Sequence, residues 1–564
     1  MNESKPCIVQ RDRTVLLECG HPAFEEAREQ LSQWAELVKS PSAFHTYRIT
    51  SLSLWNAAAM GWDAEQIVKS LESISRWEVP NSVLQDVRQL IGRYGKLQIT
   101  TVAGCDEKLQ LCSSDSQLLD EILQKDAVNS IEFTRTSNYN AEYPSLRRGN
   151  LKQELTRLGY PVLDLAGYHE GQALQLGWNE QSGPFRLRDY QQEATAAFEG
   201  VEGIGGSGVL VLPCGSGKTV IGMAVLEQQQ CECLILTSNT TSVRQWIQEL
   251  IQKTTLTHKE VGEYTGQKKE VKPVTVATYQ ILTHRRSKEG TFEHMRLFNE
   301  RNWGLIIYDE VHLLPAPVFR ATAEIQATRR LGLTATLVRE DGCEQDVFSL
   351  IGPKRYDMPW KQLESKGWIA SVNCTEIRVP MSITLREHYL YAEGKQQFRI
   401  AAENPNKIKV ILDLLDKHRG SSILIIGQYL DQLKQVSAAV KAPLISGRMP
   451  EQERNVLYDS FKKGKTPILV VSKVANFAVD LPDASVAIEI SGSFGSRQEE
   501  AQRLGRILRP KAGDNRAYFY TLVTRDSKEE AFAVRRQLFL IEQGYEYEVR
   551  MAEYRNPEEG VASQ

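Results

Sequence analysis

The sequence contains no apolar run approaching the roughly 18 uninterrupted positions that a membrane-spanning helix needs. Its opening, MNESKPCIVQRDRTV, lacks the basic-then-apolar pattern of a secretory signal. We therefore expect a cytoplasmic protein with no membrane partner. The nine cysteines, at 7, 19, 105, 112, 214, 231, 233, 343 and 374, include no C-x-x-C pair. Zinc-ribbon spacing is missing, and no cluster of four thiolates suggests an iron–sulfur centre. Reduced thiols, most of them in cores, are the expectation, with neither zinc nor an iron–sulfur cluster. Charge of one sign is not in surplus either, since 68 basic and 71 acidic residues leave a net −3. That excludes a wholly basic protein that coats nucleic acid, but not local basic grooves. Short repeats and low-complexity tracts are absent.

What is present is an ordinary globular balance, 41% hydrophobic and 25% charged. At ~150 residues per domain, 564 residues make about four domains. Residues 1–100 open with strand-like runs, Cys7 to Gln10 and Thr14 to Glu18. Helical spacing of three and four then runs through Phe24, Ala27, Leu31, Trp34, Leu37 and Val38. Two more helical sets follow, Leu52 to Ala59 and Ile67 to Ile74, so this module reads as mainly helical. Its Trp34, Trp55, Trp62 and Trp77 could serve a partner surface, but core packing is the favoured reading. Residues 101–180 read as a small α+β region, with strand alternation over Lys108 to Cys112 and a helix over Ser116 to Gln124. The polar run Glu180 to Pro184 reads as a linker.

Beyond it the texture changes. Short apolar runs at Val209–Leu212, Cys233–Thr237, Val274–Ala277, Leu305–Tyr308 and Leu331–Leu333 alternate with amphipathic helices. The alternation resumes at Ser422–Ile426, Pro467–Val471 and Val486–Ile490. This predicts two tandem parallel-sheet α/β domains, 181–350 and 351–564.

The strongest motif is LPCGSGKT, from Leu212 to Thr219, between the apolar strand GVLVL and the helix-like VIGMAVLEQ. A phosphate chain needs closely spaced backbone N–H groups, which Pro213, Cys214, Gly215, Ser216 and Gly217 would present. It needs a cation, Lys218, and a hydroxyl for Mg²⁺, Thr219. The first glycine of the general pattern is replaced by Leu212. About ninety residues on, the apolar run WGLIIY delivers Asp309-Glu310-Val311-His312. Asp309 would hold Mg²⁺ and Glu310 would polarise the attacking water, with His312 a third candidate catalytic residue. Thr334 and Thr336 flank Ala335 after the next buried strand, placed to relay nucleotide state to a second ligand. Three such elements in series exclude simple kinases and indicate a nucleic-acid motor.

The second α/β unit carries QEEAQRLGRILR, from Gln498 to Arg509. At 100° per residue, Gln502, Arg506 and Arg509 fall within roughly 60° around a helix. Arg506 and Arg509 can then aim at one γ-phosphate as arginine fingers. A solvated helix would explain the charges but not Gly505, which weakens a helix interior by about 1 kcal/mol.

LPCGSGKT, DEVH, LGLTATLVRED and GSRQEEAQRLGRILR together resemble the superfamily 2 helicases. Within them the chain resembles the xeroderma pigmentosum group B (XPB) DNA helicases in a compact prokaryotic form. The tract from Leu187 to about Arg550 carries the likeness, with LIGPK at 350–354 and NPNK at 404–407. So does the opening, in IVQRDRTVLLE and HTYRITSLSLWNAAAMG. The resemblance implies two RecA-like domains and an ATP- and Mg²⁺-dependent 3′–5′ DNA helicase in repair, nucleotide excision repair included. A repair nuclease or other repair protein is its candidate partner.

It further implies that Arg188 and Gln191 of LRDYQQ lie on the adenine side of ATP. Asn239, Arg244 and Gln245 of SNTTSVRQW, with Thr278, would face nucleic acid. Arg339, Glu340 and Asp341 match the family's strand-separating R-E-D element. A short thumb-like insertion is expected near 385–400, with Arg386, Tyr389, Lys395 and Arg399 suited to backbone and stacking contacts, although a solvated helix face also fits. Where eukaryotic members carry Gly-Asp-Thr-Ser after SKV, this chain has Ala475-Asn476-Phe477-Ala478, which loses two hydroxyls. The alternatives are a duplex-DNA translocase or ATP-driven switch that separates few base pairs, a partner-binding scaffold, and, disfavoured by the R-E-D element, an RNA helicase.

Overall fold

The computed structural model describes residues 5–41, 43–179, 185–200, 205–285, 292–337, 342–472, 484–492, 504–505, 507 and 515–552. The expected linker at 180–184 lies outside them. So do Arg339, Glu340, Asp341, Gln502, Arg506 and Arg509, and the substituted segment 475–482. The chain forms two compact units, Met1–Leu212 with Gly217–Met358, and Pro359–Gln564 with Pro213–Ser216.

The first unit begins with an antiparallel sheet ordered Cys7–Val9, Thr14–Glu18, Phe44–Arg48, Glu36–Lys39. Helices Phe24–Trp34, Ser51–Ala59, Ala64–Ile74 and Asn81–Ile91 pack with it. Thr50 and Asp63 start two of them with capping boxes, each side chain satisfying an otherwise orphaned N–H. Leu37 and Val38 depart from the expected helix. Ala35 turns extended (φ −135°, ψ 158°), and Glu36–Lys39 pairs with Phe44–Arg48. Cross-strand pairing there overrides the helical spacing. Trp34 and Trp55 are core, as expected, whereas Trp77 is 52% exposed.

A five-stranded sheet follows, ordered Thr134–Arg135, Asn140–Pro144, Cys105–Ser113, Leu97–Val102, Leu163–Asp164. Helices Ser116–Leu123 and Arg148–Arg157 bury Leu119, Ile122, Leu151 and Leu155 against Leu97, Ile99 and Leu111. Arg148–Arg157 also packs on helix Ala316–Glu324, so closely that a Cβ at Gly149 would collide with the Ala323 backbone. Beside this crossing Asp164 accepts from Arg148 (2.8 Å) and pairs with Lys152 (3.0 Å), while Lys152 Nζ donates to Gln326 Oε1 at 2.9 Å. Burial lowers the Lys152 ammonium to about 7 despite the Asp164 carboxylate.

The third layer of this unit is a seven-stranded sheet. Its order is Val261–Tyr264, Val274–Thr278, Cys233–Thr237, Leu305–Asp309, Arg329–Thr334, Ser207–Val211, Lys354–Asp357. Every pairing is parallel, and strands Ser207–Val211, Cys233–Thr237 and Val274–Thr278 are buried at every residue, as interior strands of a parallel sheet are. The edge strand Lys354–Asp357 carries this domain past residue 350, where the sequence reading ended it, because its backbone completes the edge beside Ser207–Val211.

The second unit is another all-parallel sheet of seven strands, ordered Leu444–Ile445, Ile468–Ser472, Ile423–Gly427, Val486–Glu489, Arg516–Thr524, Ser371–Val379, Tyr547–Met551. The expected thumb-like insertion is a pair of helices, Ile383–Tyr391 and Gly394–Ala402. Arg386 and Lys395 are exposed on them. Tyr389 is not available for stacking, because it is buried and its hydroxyl accepts from the Lys528 N–H at 2.8 Å. Arg399 is held by Glu403 and Asp431, each at 3.1 Å. The exposed ring is that of Tyr391, at 90%. Among the described residues no helix is long and apolar enough to cross a membrane.

Candidate nucleotide and nucleic-acid site

Parallel strands all end on one edge of a sheet, so the residues after each strand collect there. In the first unit that edge carries Lys218 and Thr219 after Ser207–Val211, Asn239 after Cys233–Thr237, Thr278, Asp309 with Glu310, and Thr334 with Thr336.

The loop that enters helix Lys218–Gln229 has Gly215 at φ 83° and Gly217 at φ 82°, a region that favours glycine. Within it the Ser216 hydroxyl donates to the Pro213 carbonyl at 2.7 Å. Gly217 is required a second time by close approach, since a Cβ there would lie 2.8 Å from Gln191 Nε2. Gln191 is buried, and its Oε1 accepts from the Arg188 N–H at 3.0 Å. The structure thus brings Gln191 against the phosphate loop. The N–H groups of the helix start point out of a partial positive charge, a ready anion site.

Lys218 Nζ lies 3.0 Å from Glu310 Oε1. Glu310 itself is left-handed, at φ 52°, which costs a non-glycine residue about 1–3 kcal/mol. This kink ends strand Leu305–Asp309 and turns the second carboxylate toward the lysine. The main chain of Asp309 is fixed from the side, its carbonyl accepting from the Tyr279 hydroxyl at 2.9 Å. Its side chain is fixed by Trp246, whose indole Nε1–H donates to Oδ2 at 2.9 Å. Burial first, then the Glu310 charge, raises the Asp309 carboxyl to about 6. A divalent cation would offset both causes. The donor types after these strands, the Asp309 carboxylate and the Thr219 hydroxyl, are hard oxygen ligands that fit Mg²⁺.

His312 Nδ1 lies 2.7 Å from Thr334 Oγ1, and Glu310 Oε2 lies 3.4 Å from the same nitrogen. The Thr334 hydroxyl donates to the Thr336 carbonyl at 2.6 Å, and the Thr336 N–H returns to Oγ1 at 3.1 Å. With its single hydrogen committed to a carbonyl, that oxygen can only accept from His312, so Nδ1 carries a proton. His312, Thr334 and Thr336 are all buried. The structure therefore joins the acid run to the Thr-Ala-Thr run by hydrogen bonds.

The residues expected to face nucleic acid divide. Asn239 caps helix Thr240–Lys253 through the Ser242 N–H at 2.9 Å. Arg244 is exposed and reaches Gln267 at 3.2 Å, and Gln245 donates to Glu249 at 2.9 Å. Thr278 does not join this surface: it is buried, and its hydroxyl caps helix Tyr279–Leu282. Sequence reasoning missed Trp246 and Tyr279. Their signal was only position, each being a large aromatic beside a motif already singled out.

A phosphate loop, an acid pair and a coupled Thr-Ala-Thr run on one edge of a parallel sheet, with a second such sheet behind them in sequence, define an ATP-using helicase of superfamily 2. Residues 363–562 match the ERCC3/RAD25/XPB C-terminal helicase family, 184–339 the type III restriction enzyme res subunit, and 7–137 a helicase conserved C-terminal domain. The chain is 50% identical over 544 residues to DNA 3′-5′ helicase XPB of Kineococcus radiotolerans, covering 96% of both chains. It is 50% identical over 548 residues to the protein of that name in Mycobacterium tuberculosis, covering 97% of this chain and 98% of that one. To the general transcription and DNA repair factor IIH helicase/translocase subunit XPB of Enterocytozoon bieneusi it is 32% identical over 576 residues, covering 97% and 92%. The chain belongs to the XPB family of DNA helicases.

Proposed function

We propose that this chain is an ATP-dependent 3′–5′ DNA helicase that opens duplexes in DNA repair. The observation that supports it most is the Lys218–Glu310–Asp309 constellation, tied through His312 to Thr334, in a chain of this family. The loop 213–217 and Lys218 would bind the phosphates, with Arg188 and Gln191 on the adenine side. Mg²⁺ held by Asp309 and Thr219 would offset the charge that develops on the phosphates. Once phosphate takes Lys218, Glu310 is released to accept a proton from the attacking water. His312 then reports the change at Glu310 to Thr334 and Thr336.

From the second domain, Arg506 and Arg509, with Gln502 beside them, would stabilise the γ-phosphate in the transition state. Arg244, Gln245 and Asn239 would contact DNA phosphates, and Arg339, Glu340 and Asp341 would work where strands part. A repair nuclease or another repair protein is the partner class this activity calls for. Its place of work is the compartment that holds the DNA, the cytoplasm of a prokaryotic cell.

The test is strand displacement on duplexes with a 3′ or a 5′ single-stranded tail. ATP-dependent opening of the 3′-tailed substrate alone is expected. DNA-stimulated ATP turnover without displacement on either would establish the translocase reading instead.

A further inference from the structure

The indole of Trp246 sits where three functional elements meet. Its Nε1–H donates to Asp309 Oδ2 at 2.9 Å. Its ring lies on Gly222, one turn into the helix that Lys218 begins, so closely that a Cβ there would stand 2.6 Å from Cη2. Its own helix, Thr240–Lys253, is capped by Asn239 and carries Arg244 exposed beside it. Val243, Trp246 and Leu250 form the buried stripe of that helix, at spacings of three and four, with Arg244 turned outward. Trp246 is 1% exposed, so its ring has no room to follow its helix without moving something else.

We propose that Trp246 is the positioning residue through which nucleic acid bound at Asn239, Arg244 and Gln245 sets the Asp309 carboxylate for the metal. The inference rests on the ATP-driven DNA reading above. The indole N–H on Oδ2 fixes the carboxylate in one rotamer, and a carboxylate so locked gives up less freedom on binding the cation. A shift of the Thr240–Lys253 helix toward bound phosphate carries the indole with it. The carboxylate and the Lys218 helix then feel the same displacement, since the ring touches both.

Two variants test this on the full chain. Trp246→Phe keeps an aromatic ring against Gly222 and removes the N–H. Gly222→Ala keeps the N–H and forces the ring away. Calorimetry with ADP, with and without Mg²⁺, reads the carboxylate without turnover. The wild type is expected to bind ADP more tightly with the metal, and both variants to lose about fivefold or more of that increment while metal-free ADP affinity holds. The factor by which DNA accelerates ATP turnover is expected to fall at least as far, measured at saturating DNA and Mg²⁺.

A metal increment equal to wild type in both variants overturns the proposal. So does a lost increment with DNA stimulation intact, which would leave Trp246 orienting Asp309 with no link to nucleic acid. If the wild type shows no DNA stimulation at all, the reading under Proposed function fails, while the calorimetry still decides whether Trp246 positions Asp309. Should Trp246→Phe not fold, Gly222→Ala carries the same comparison.

Discussion

Lys218 and Glu310, 92 positions apart in sequence, form an ion pair at 3.0 Å. On the function proposed above, nucleotide phosphate would take Lys218 from this pair and leave the Glu310 carboxylate for water. Glu310→Gln removes the base and keeps an amide that the lysine can still meet. Nucleotide should bind within a few-fold of wild type, while turnover falls by about a hundredfold or more. A rate within threefold of wild type under saturating DNA would remove Glu310 from the base's role.

Arg506→Ala should abolish DNA-stimulated hydrolysis and leave nucleotide affinity largely intact, since a finger acts on transition-state charge. Nucleotide titration alongside steady-state ATP turnover separates the two effects. An affinity loss as large as the rate loss would make Arg506 a binding residue.

Thr334→Val deletes the oxygen that receives both His312 Nδ1–H and the Thr336 N–H. Leaving such buried donors unpaired costs about 1–3 kcal/mol. We expect a lower melting temperature and, at a temperature where the protein is folded, fewer base pairs opened per ATP. Melting and coupling both at wild-type values would show that this hydroxyl carries no signal.

Glu340→Ala with Asp341→Ala should lower strand displacement far more than DNA-dependent ATP turnover. Opening each base-pair step demands about 1.4 kcal/mol on average, and charges at a junction can lower that barrier without touching the phosphate cradle. Salt should weaken DNA binding equally in both forms. An unchanged ratio of base pairs opened to ATP consumed would assign the element to the ATPase machinery.

Lys152 gives a pH prediction. Its ammonium is lowered by burial to about 7, against about 10.4 for an unfolded lysine. Between those values the unfolded chain binds more protons, so this group's contribution to stability rises with pH and is lost as pH falls through about 7. Lys152→Met removes the titration and leaves Arg148 on Asp164. The melting temperature of wild type relative to this variant should therefore climb by about 2 °C or more from pH 7 to pH 9. A difference that stays flat over that range would mean the lysine is charged throughout.

Much of the site was legible in the sequence for a physical reason. A parallel strand buried on both faces must be a short unbroken apolar run, and the residues that follow it must emerge at the same edge as those after its neighbours. Cys233–Thr237, Leu305–Asp309 and Ser207–Val211 therefore announce themselves, and with them Asn239, Asp309 and Lys218. The phosphate loop is equally local, because its glycines at φ above 80° answer to backbone sterics alone. What the sequence could not determine depends on partners outside the element itself. Glu36–Lys39 is a strand only because Phe44–Arg48 lies beside it. The Tyr389 hydroxyl is engaged only because the Lys528 N–H, 139 positions on, claims it. Trp246 reaches the Asp309 carboxylate only because its ring packs on Gly222 and brings an indole N–H to it from 63 positions away. Local sterics and strand burial are written in neighbouring residues, whereas a hydrogen bond between distant side chains exists only once tertiary packing has fixed both ends.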